Sequence, residues 1–186
     1  MQEIKNVLVT GGAGFIGSAL IRHLLKFTEH SICNLDKLTY AANPAALIGA
    51  QHTDKYQFYQ IDITNLEDVK TVIFKFQPDI IYHLAAETHV DRSISSSDAF
   101  LLTNVLGTHN LLKVSLAYWE SLSEKKADQF RFHHISTDEV YGDLGKHGGV
   151  FTEESSYHPS SPYSASKASS DHLVRAWYRT LSLIHI

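Results

Sequence analysis

The chain has 186 residues, 44% of them hydrophobic, enough to bury one sizeable α/β core and cramped for two. Its formal net charge of -4 supplies no basic stripe, which argues against nucleic acid as a partner and requires any small anionic ligand to be held by local groups. The single cysteine, Cys33, excludes an intrachain disulfide framework and a multi-cysteine metal site and suits a reducing compartment. The first predicted strand begins too close to Met1 for a secretion signal, and no apolar run reaches the roughly 18 residues of a membrane span, so the expected location is cytoplasmic without membrane association.

From the N-terminus, Asn6 to Thr10 is nearly continuously apolar and predicts a strand covered on both faces. Gly11, Gly14 and Gly17 follow in the turn that opens a predicted helix, Phe15 to Phe27. Side chains at those positions would block a pyrophosphate from the backbone amides at the helix start. The next strand, Ser31 to Asp36, ends on a carboxylate nineteen residues beyond Gly17, placed to accept the ribose hydroxyls of an adenosine. Its charge would repel a 2′-phosphate and favours NAD over NADP, a discrimination softened by Lys37. A short helical piece is expected at Pro44 to Ile48, then a strand at Tyr56 to Asp62 and a helix at Leu66 to Phe76. Asp62 has two readings here, a cap for that helix or an adenine contact.

Ile80 to Ala85 predicts a fourth strand, and Glu87, Thr88 and His89 follow it at the sheet edge where open α/β sheets bind ligands. A long helix is expected from Ser97 to Ser121, with Leu102, Leu106 and Leu112 on its core face. Phe130 to Ser136 predicts a fifth strand. Its adjacent His133 and His134 point to opposite faces, and with no i, i+4 histidine pair beside a carboxylate, no metal site is expected. Ser136 and Thr137 close the strand with two hydroxyls, and Asp138 and Glu139 place an acid beside a base. Neighbouring carboxylates disfavour double ionisation, which favours one protonated partner. Both reach one substrate only if the chain bends after Ser136, because consecutive strand residues face opposite ways.

Gly142 to Pro162 lacks periodicity and reads as a functional loop. Pro162 suits the first turn of a helix reaching about Thr180. On it, Tyr163 and Lys167 stand four apart and share a face, so the ammonium is expected to favour the phenolate and make the phenol a usable base. Strands alternating with helices predict a doubly wound parallel α/β sheet, a Rossmann-like domain spanning 1–186.

Four segments carry a resemblance: Thr10-Gly11-Gly12-Ala13-Gly14-Phe15-Ile16-Gly17-Ser18, Asp36-Lys37-Leu38-Thr39-Tyr40, Leu84-Ala85-Ala86-Glu87-Thr88-His89-Val90-Asp91-Arg92-Ser93 and His134-Ile135-Ser136-Thr137-Asp138-Glu139-Val140-Tyr141-Gly142. From about Ile4 to Thr180 the chain resembles the dTDP-glucose 4,6-dehydratase family, extended short-chain dehydrogenases/reductases of the NAD-dependent epimerase/dehydratase type. The resemblance implies NAD contacts at Phe15, Ile16, Asp36, Lys37, Leu38, Thr39, Asp62, Ile63, Ala85, Ala86, Thr103, Tyr163 and Lys167, and substrate contacts at Thr88 and Thr137. It implies that Tyr163 deprotonates the sugar 4-hydroxyl, with Thr137 bonded to the same oxygen and Lys167 anchoring the ribose. Glu139 then removes the C5 proton and Asp138 protonates the departing 6-hydroxyl, converting dTDP-glucose to dTDP-4-keto-6-deoxyglucose and water. It also implies a homodimer formed by part of the 97–121 helix and the helix after Tyr163.

Members of that family are longer, with a C-terminal region that holds the nucleotide. The residues after Thr180 depart from the family pattern and stop about where a sixth strand is due, so the chain reads as a C-terminally truncated piece of an intact enzyme. Two alternatives remain: a nucleotide-sugar 4-epimerase or decarboxylase of the same superfamily, which has no obvious need for Asp138 and Glu139 together, and an inactive NAD-binding fragment.

Overall fold

A computed structural model describes residues 3–145 and 148–181; the expectation of a divergent tail falls largely on 182–186, outside the described residues. The elements run β1 (Asn6–Thr10), α1 (Phe15–Phe27), β2 (Ser31–Leu35), a 3-10 segment (Pro44–His52), β3 (Tyr56–Tyr59), α2 (Leu66–Phe76), β4 (Ile80–His83), α3 (Val90–Ser95) and α4 (Ser97–Phe100). A π-helical stretch (Leu101–Gly107), α5 (Thr108–Glu120), α6 (Glu124–Gln129), β5 (Arg131–His134), a 3-10 turn (Asp138–Tyr141) and α7 (Pro162–Leu181) complete them. The five strands form one parallel sheet ordered β3-β2-β1-β4-β5. The order reverses beside β1, and the chain leaves β1 and β4 on opposite sides of the resulting crevice, where doubly wound sheets bind their ligands.

Alternation along the strands divides the core between the two faces. Leu8, Cys33 and Ile81 pack with Val69, Ile73, Leu111, Leu112 and Phe132 under α2, α5 and α7. Val7, Val9 and Ile32 pack with Ile21, Leu47 and Ala50 under α1 and the 3-10 segment. The sheet is therefore clad on both sides, as the apolar strands predict. The same alternation leaves His133 exposed and His134 buried.

The helix boundaries at α1 and α2 match the predicted ones, because both are marked by strong amphipathic spacing and α2 by a cap: Asn65 accepts from the Asp68 amide. Asp62 is therefore not the cap of α2; its Oδ1 accepts from Thr64 N–H at 2.9 Å in a turn before the helix. Every strand but β1 is shorter than predicted. Asp36, Asp62, Leu84, Ala85, Ile135 and Ser136 lie beyond the strand ends and line the crevice instead.

The long predicted helix is broken into α4, the π-helical stretch and α5. Leu112 is buried as expected, but Leu102 is 52% and Leu106 42% exposed. The widened π-turn shifts the face presented to the core, which takes Thr103, Asn104 and Gly107 rather than those leucines.

Candidate active site

The β1–α1 turn is shaped by space. Gly11 has φ +71°, and a Cβ there would lie 2.7 Å from the Ala85 backbone. A Cβ on Gly17 would lie 2.3 Å from the Gly11 carbonyl oxygen. Three amides of the turn are tied to β2 and its end: Gly11 N–H donates to the Leu35 carbonyl (2.8 Å), Gly12 N–H to Asn34 Oδ1 (3.1 Å) and Ala13 N–H to Asp36 Oδ2 (2.9 Å). No side chain caps α1 and its first turn carries no acid, so its positive end faces the crevice. Phe15, 93% exposed, and the exposed Ile16 stand at the mouth.

A cavity of about 410 Å³ opens here. Its walls include Gly11, Gly14, Phe15, Ile16 and Gly17 from the turn, Asp36, Lys37 and Thr39 beyond β2, and Asp62 and Ile63 beyond β3. Ala85, Ala86 and Thr88 beyond β4, Thr103 from the π-helical stretch, and Tyr163 and Lys167 from α7 complete the predicted residues in it. Leu38 does not line it. Its left-handed backbone (φ 59°) lets its N–H donate to Asp36 Oδ1 at 2.8 Å, so it shapes the loop around the carboxylate.

Lys37 is bound on three sides: Nζ donates to Thr103 Oγ1 (3.1 Å) and lies 3.5 Å from both Asp62 and Glu87 carboxylates. Its charge is thus compensated within the wall, and among the described residues no cation is ion-paired with Asp36. That spatial neutralisation is invisible in the adjacency of Asp36 and Lys37 along the chain.

On the far wall, the chain bends after β5, and the 3-10 turn carries Asp138 and Glu139, both exposed. This bend is the condition for two consecutive acids to serve one ligand. Thr137 caps the turn, its Oγ1 accepting from Glu139 N–H at 3.3 Å and donating to Asp138 Oδ1 at 3.4 Å, and its hydroxyl also favours the ionised form of the Tyr163 phenol. Thr137, Asp138 and Glu139 are not part of the cavity wall but flank Tyr163, close enough for both carboxylates to act on its ionisation.

The Tyr163 phenol is raised above its usual pKa of 10.0, by burial first and then by the negative charges of Glu139, Asp138 and Asp171, against a downward pull from the Thr137 hydrogen bond. The expected lowering by Lys167 is corrected: Lys167 is 5% exposed, Nζ donates to the Ile135 carbonyl at 2.7 Å, and burial pushes its own pKa down to about 8. Four-residue spacing sets the two side chains on one face, yet the ammonium is held by a strand-end carbonyl.

The sequence reading passed over Asp171, which continues the Tyr163, Lys167 series by another four residues, and that spacing was the available signal. Its buried carboxylate accepts from His134 Nε2 (3.0 Å), Tyr157 OH (3.0 Å) and Ser136 Oγ. His83 is also fully buried, between Thr10 Oγ1 (2.7 Å) and Thr108 Oγ1 (2.9 Å), and held well below its ordinary pKa by burial. Ala85 N–H donates to the same Thr10 hydroxyl at 3.2 Å, so His83 supports the cavity floor as a neutral ring. Among the described residues, no group of three or more His, Cys, Asp or Glu side chains is arranged to hold a metal ion, and no helix is long and apolar enough to cross a membrane.

The sequence profile of the family described as GDP-mannose 4,6 dehydratase matches residues 8–186. The chain belongs to that family. It is 57% identical over 180 residues to the dTDP-glucose 4,6-dehydratase of Haemophilus influenzae, an alignment covering 97% of this chain and 53% of the relative. Among solved structures, the Bacillus anthracis dTDP-glucose 4,6-dehydratase in complex with NAD matches with a TM-score of 0.82 at 40% identity, covering 96% of this chain and 52% of the other. DesIV, the dTDP-glucose 4,6-dehydratase from Streptomyces venezuelae, also with NAD bound, matches with a TM-score of 0.85 at 40% identity, covering 96% and 53%. The chain thus spans about half the length of the curated relatives it matches.

Proposed function

We propose that these residues form the NAD-binding domain of a dTDP-glucose 4,6-dehydratase, an NAD-dependent hydro-lyase that yields dTDP-4-keto-6-deoxyglucose. One observation carries the reading: the Thr137-Asp138-Glu139 turn stands beside Tyr163 at the edge of a cavity shaped for a dinucleotide. An oxidoreductase acting only at an alcohol has use for Tyr163 and Thr137, whereas removing water from C5 and C6 calls for a base and an acid as well.

The residues fit NAD. The glycine turn leaves the space a Cβ would fill, the uncapped start of α1 suits a pyrophosphate, and Asp36 lines the wall where an adenosine ribose would sit. With Lys37 neutralised by Asp62 and Glu87, the uncompensated Asp36 charge favours NAD over NADP. Bound there, NAD supplies an acceptor that stores the C4 hydride until it is returned to C6.

The chain's own groups handle the protons. Tyr163 takes the proton of the sugar 4-hydroxyl, and Thr137 holds that oxygen. The resulting 4-ketone acidifies C5–H, whose proton Glu139 removes and gives back to C5 once C6 has received the hydride, so that the product keeps a hydrogen at C5. Asp138 protonates the C6 oxygen as its bond to carbon breaks, releasing water. Lys167 fixes the ribose side of the cavity, and Thr88 bounds the sugar side. The exposed Leu101, Leu102 and Leu106 support a homodimer through the π-helical stretch and α7, and the single cysteine and absence of a spanning helix among the described residues suit a cytoplasmic enzyme.

The test is to incubate the full-length protein with dTDP-glucose and follow the alkaline absorbance of a 4-keto sugar. Its appearance with loss of the 6-hydroxyl supports the dehydratase; an epimerised sugar with no dehydration replaces it with a 4-epimerase.

A further inference from the structure

We propose that Asp171 is a positioning residue that sets the acid/base turn against Tyr163 by stapling three separate segments to α7. The inference rests on the dehydratase reading for its kinetic consequence and on geometry alone for its structural one.

Asp171 is 5% exposed, in the body of α7, two turns beyond Tyr163. A buried carboxylate is costly unless its lone pairs are met, and here three donors meet them. His134, the last residue of β5, contributes Nε2 at 3.0 Å; Ser136, one residue before Thr137, contributes its hydroxyl; Tyr157, from the loop between the 3-10 turn and α7, contributes its phenol at 3.0 Å. Between His134 and Ser136, the Ile135 carbonyl takes the Lys167 ammonium at 2.7 Å. Three consecutive residues, 134 to 136, are therefore fastened to one face of α7, and Thr137 follows directly.

The third donor reaches the turn from its other side. The Tyr157 ring packs edge-on against Tyr141, the last residue of the turn, with centroids 5.3 Å apart, and His158 N–H donates to the Val140 carbonyl at 3.0 Å. The turn is held at both ends through a single carboxylate. The His134 ring fits this role: with Nε2–H donated to Asp171, its buried Nδ1 has no partner among the described residues, so the ring is a neutral strut rather than a proton carrier. Burial keeps its pKa low. Of the carboxylate and its three donors only Ser136 lines the cavity, so Asp171 acts through the turn and not on a ligand.

Asp171→Asn keeps the shape and removes two of the four oxygen lone pairs and the charge. Ser136→Ala and Tyr157→Phe each delete one donor and leave the carboxylate, which keeps the idea testable if Asp171→Asn fails to fold. Hydrogen exchange and steady-state kinetics on the full chain give separate readouts. The expected result is at least about tenfold faster exchange of the Val140, Gly142 and His158 amides in Asp171→Asn, with β1 and β4 amides unchanged. Turnover should fall by about ten- to a hundredfold, as misplacement on the order of 1 Å produces, while KM for the nucleotide sugar stays within about twofold. Tyr157→Phe should move the same amides in the same direction. Unchanged exchange at the turn, or an equal rise in every segment, overturns the proposal. If the wild-type chain forms no 4-keto sugar, the dehydratase reading fails instead, and the exchange pattern alone decides the role of Asp171.

Discussion

Burial at Lys167 has a consequence for stability that can be given a sign. The folded-state pKa is about 8 against an ordinary value of 10.5, so between those values the unfolded chain binds a proton that the folded chain has released. Stability from this group therefore rises with pH across that window, and below it folding carries the cost of burying a charge. Cys33, Tyr118 and Tyr157 act in the opposite sense, because burial pushes each up to about 12; their contribution is present below the unfolded values of 9.0 and 10.0 and is lost as pH climbs toward 12. Urea unfolding midpoints should rise from pH 7.5 to 9 in the wild type and stay flat in Lys167→Met. A parallel rise in the variant would mean that another group controls the window. For Tyr163, removal of the phenol in Tyr163→Phe should lower dehydratase turnover by about 10²- to 10⁴-fold, the usual worth of a positioned acid or base, with far-ultraviolet circular dichroism near wild type. The raised phenol pKa shows what spacing along a helix leaves out. An i, i+4 pair predicts a shared face, but the carbonyl that takes the ammonium and the carboxylates that oppose the phenolate come from the residue after β5, the 3-10 turn and a position two turns further along α7.

Among the elements, the β1–α1 turn was the most legible, since Gly11 and Gly17 report a backbone requirement that no other residue type satisfies as well. Gly17→Ala tests this directly: with a Cβ 2.3 Å from the Gly11 oxygen and 2.7 Å from Gly12 Cα, the turn must open. NAD affinity should fall by at least about a hundredfold in calorimetric titration, the scale on which small misplacements act, while far-ultraviolet circular dichroism stays near wild type. The π-helical stretch was hidden because its residues keep helical polarity. Its cause is tertiary: Asn104 donates to the Glu87 carbonyl (3.0 Å) and Ser166 Oγ (2.8 Å) and accepts from Glu87 N–H (2.8 Å), so the helix yields to a loop from one side and α7 from the other. The short helices α3 and α6 lack enough turns to show a period. The overlong strand predictions at the C-terminal ends of β2 to β5 share one origin, since Asp36, Asp62, Leu84, Ala85, Ile135 and Ser136 continue past each ladder to line the crevice.

At the scale of the molecule, the alternation of strands and helices was enough to give the parallel class, while the order β3-β2-β1-β4-β5 depends on crossover geometry that pattern alone does not contain. The two claddings of the sheet differ in thickness: among the described residues, six buried hydrophobic side chains form the cluster beneath α1 and the 3-10 segment, and sixteen form the one beneath α2, α5 and α7. A thinner layer opens at lower free energy. Exchange of α1 amides should therefore exceed that of α5 amides in the apo protein, with the gap narrowing when NAD is added; equal protection in both layers, with or without NAD, would contradict this. The dinucleotide would then be more than a reagent. Lying across the seam between the weakly and the strongly clad halves, it would serve as the missing beam of the flimsier wall, so a protein that lends its hydride store to another reaction would also lose part of its own scaffolding.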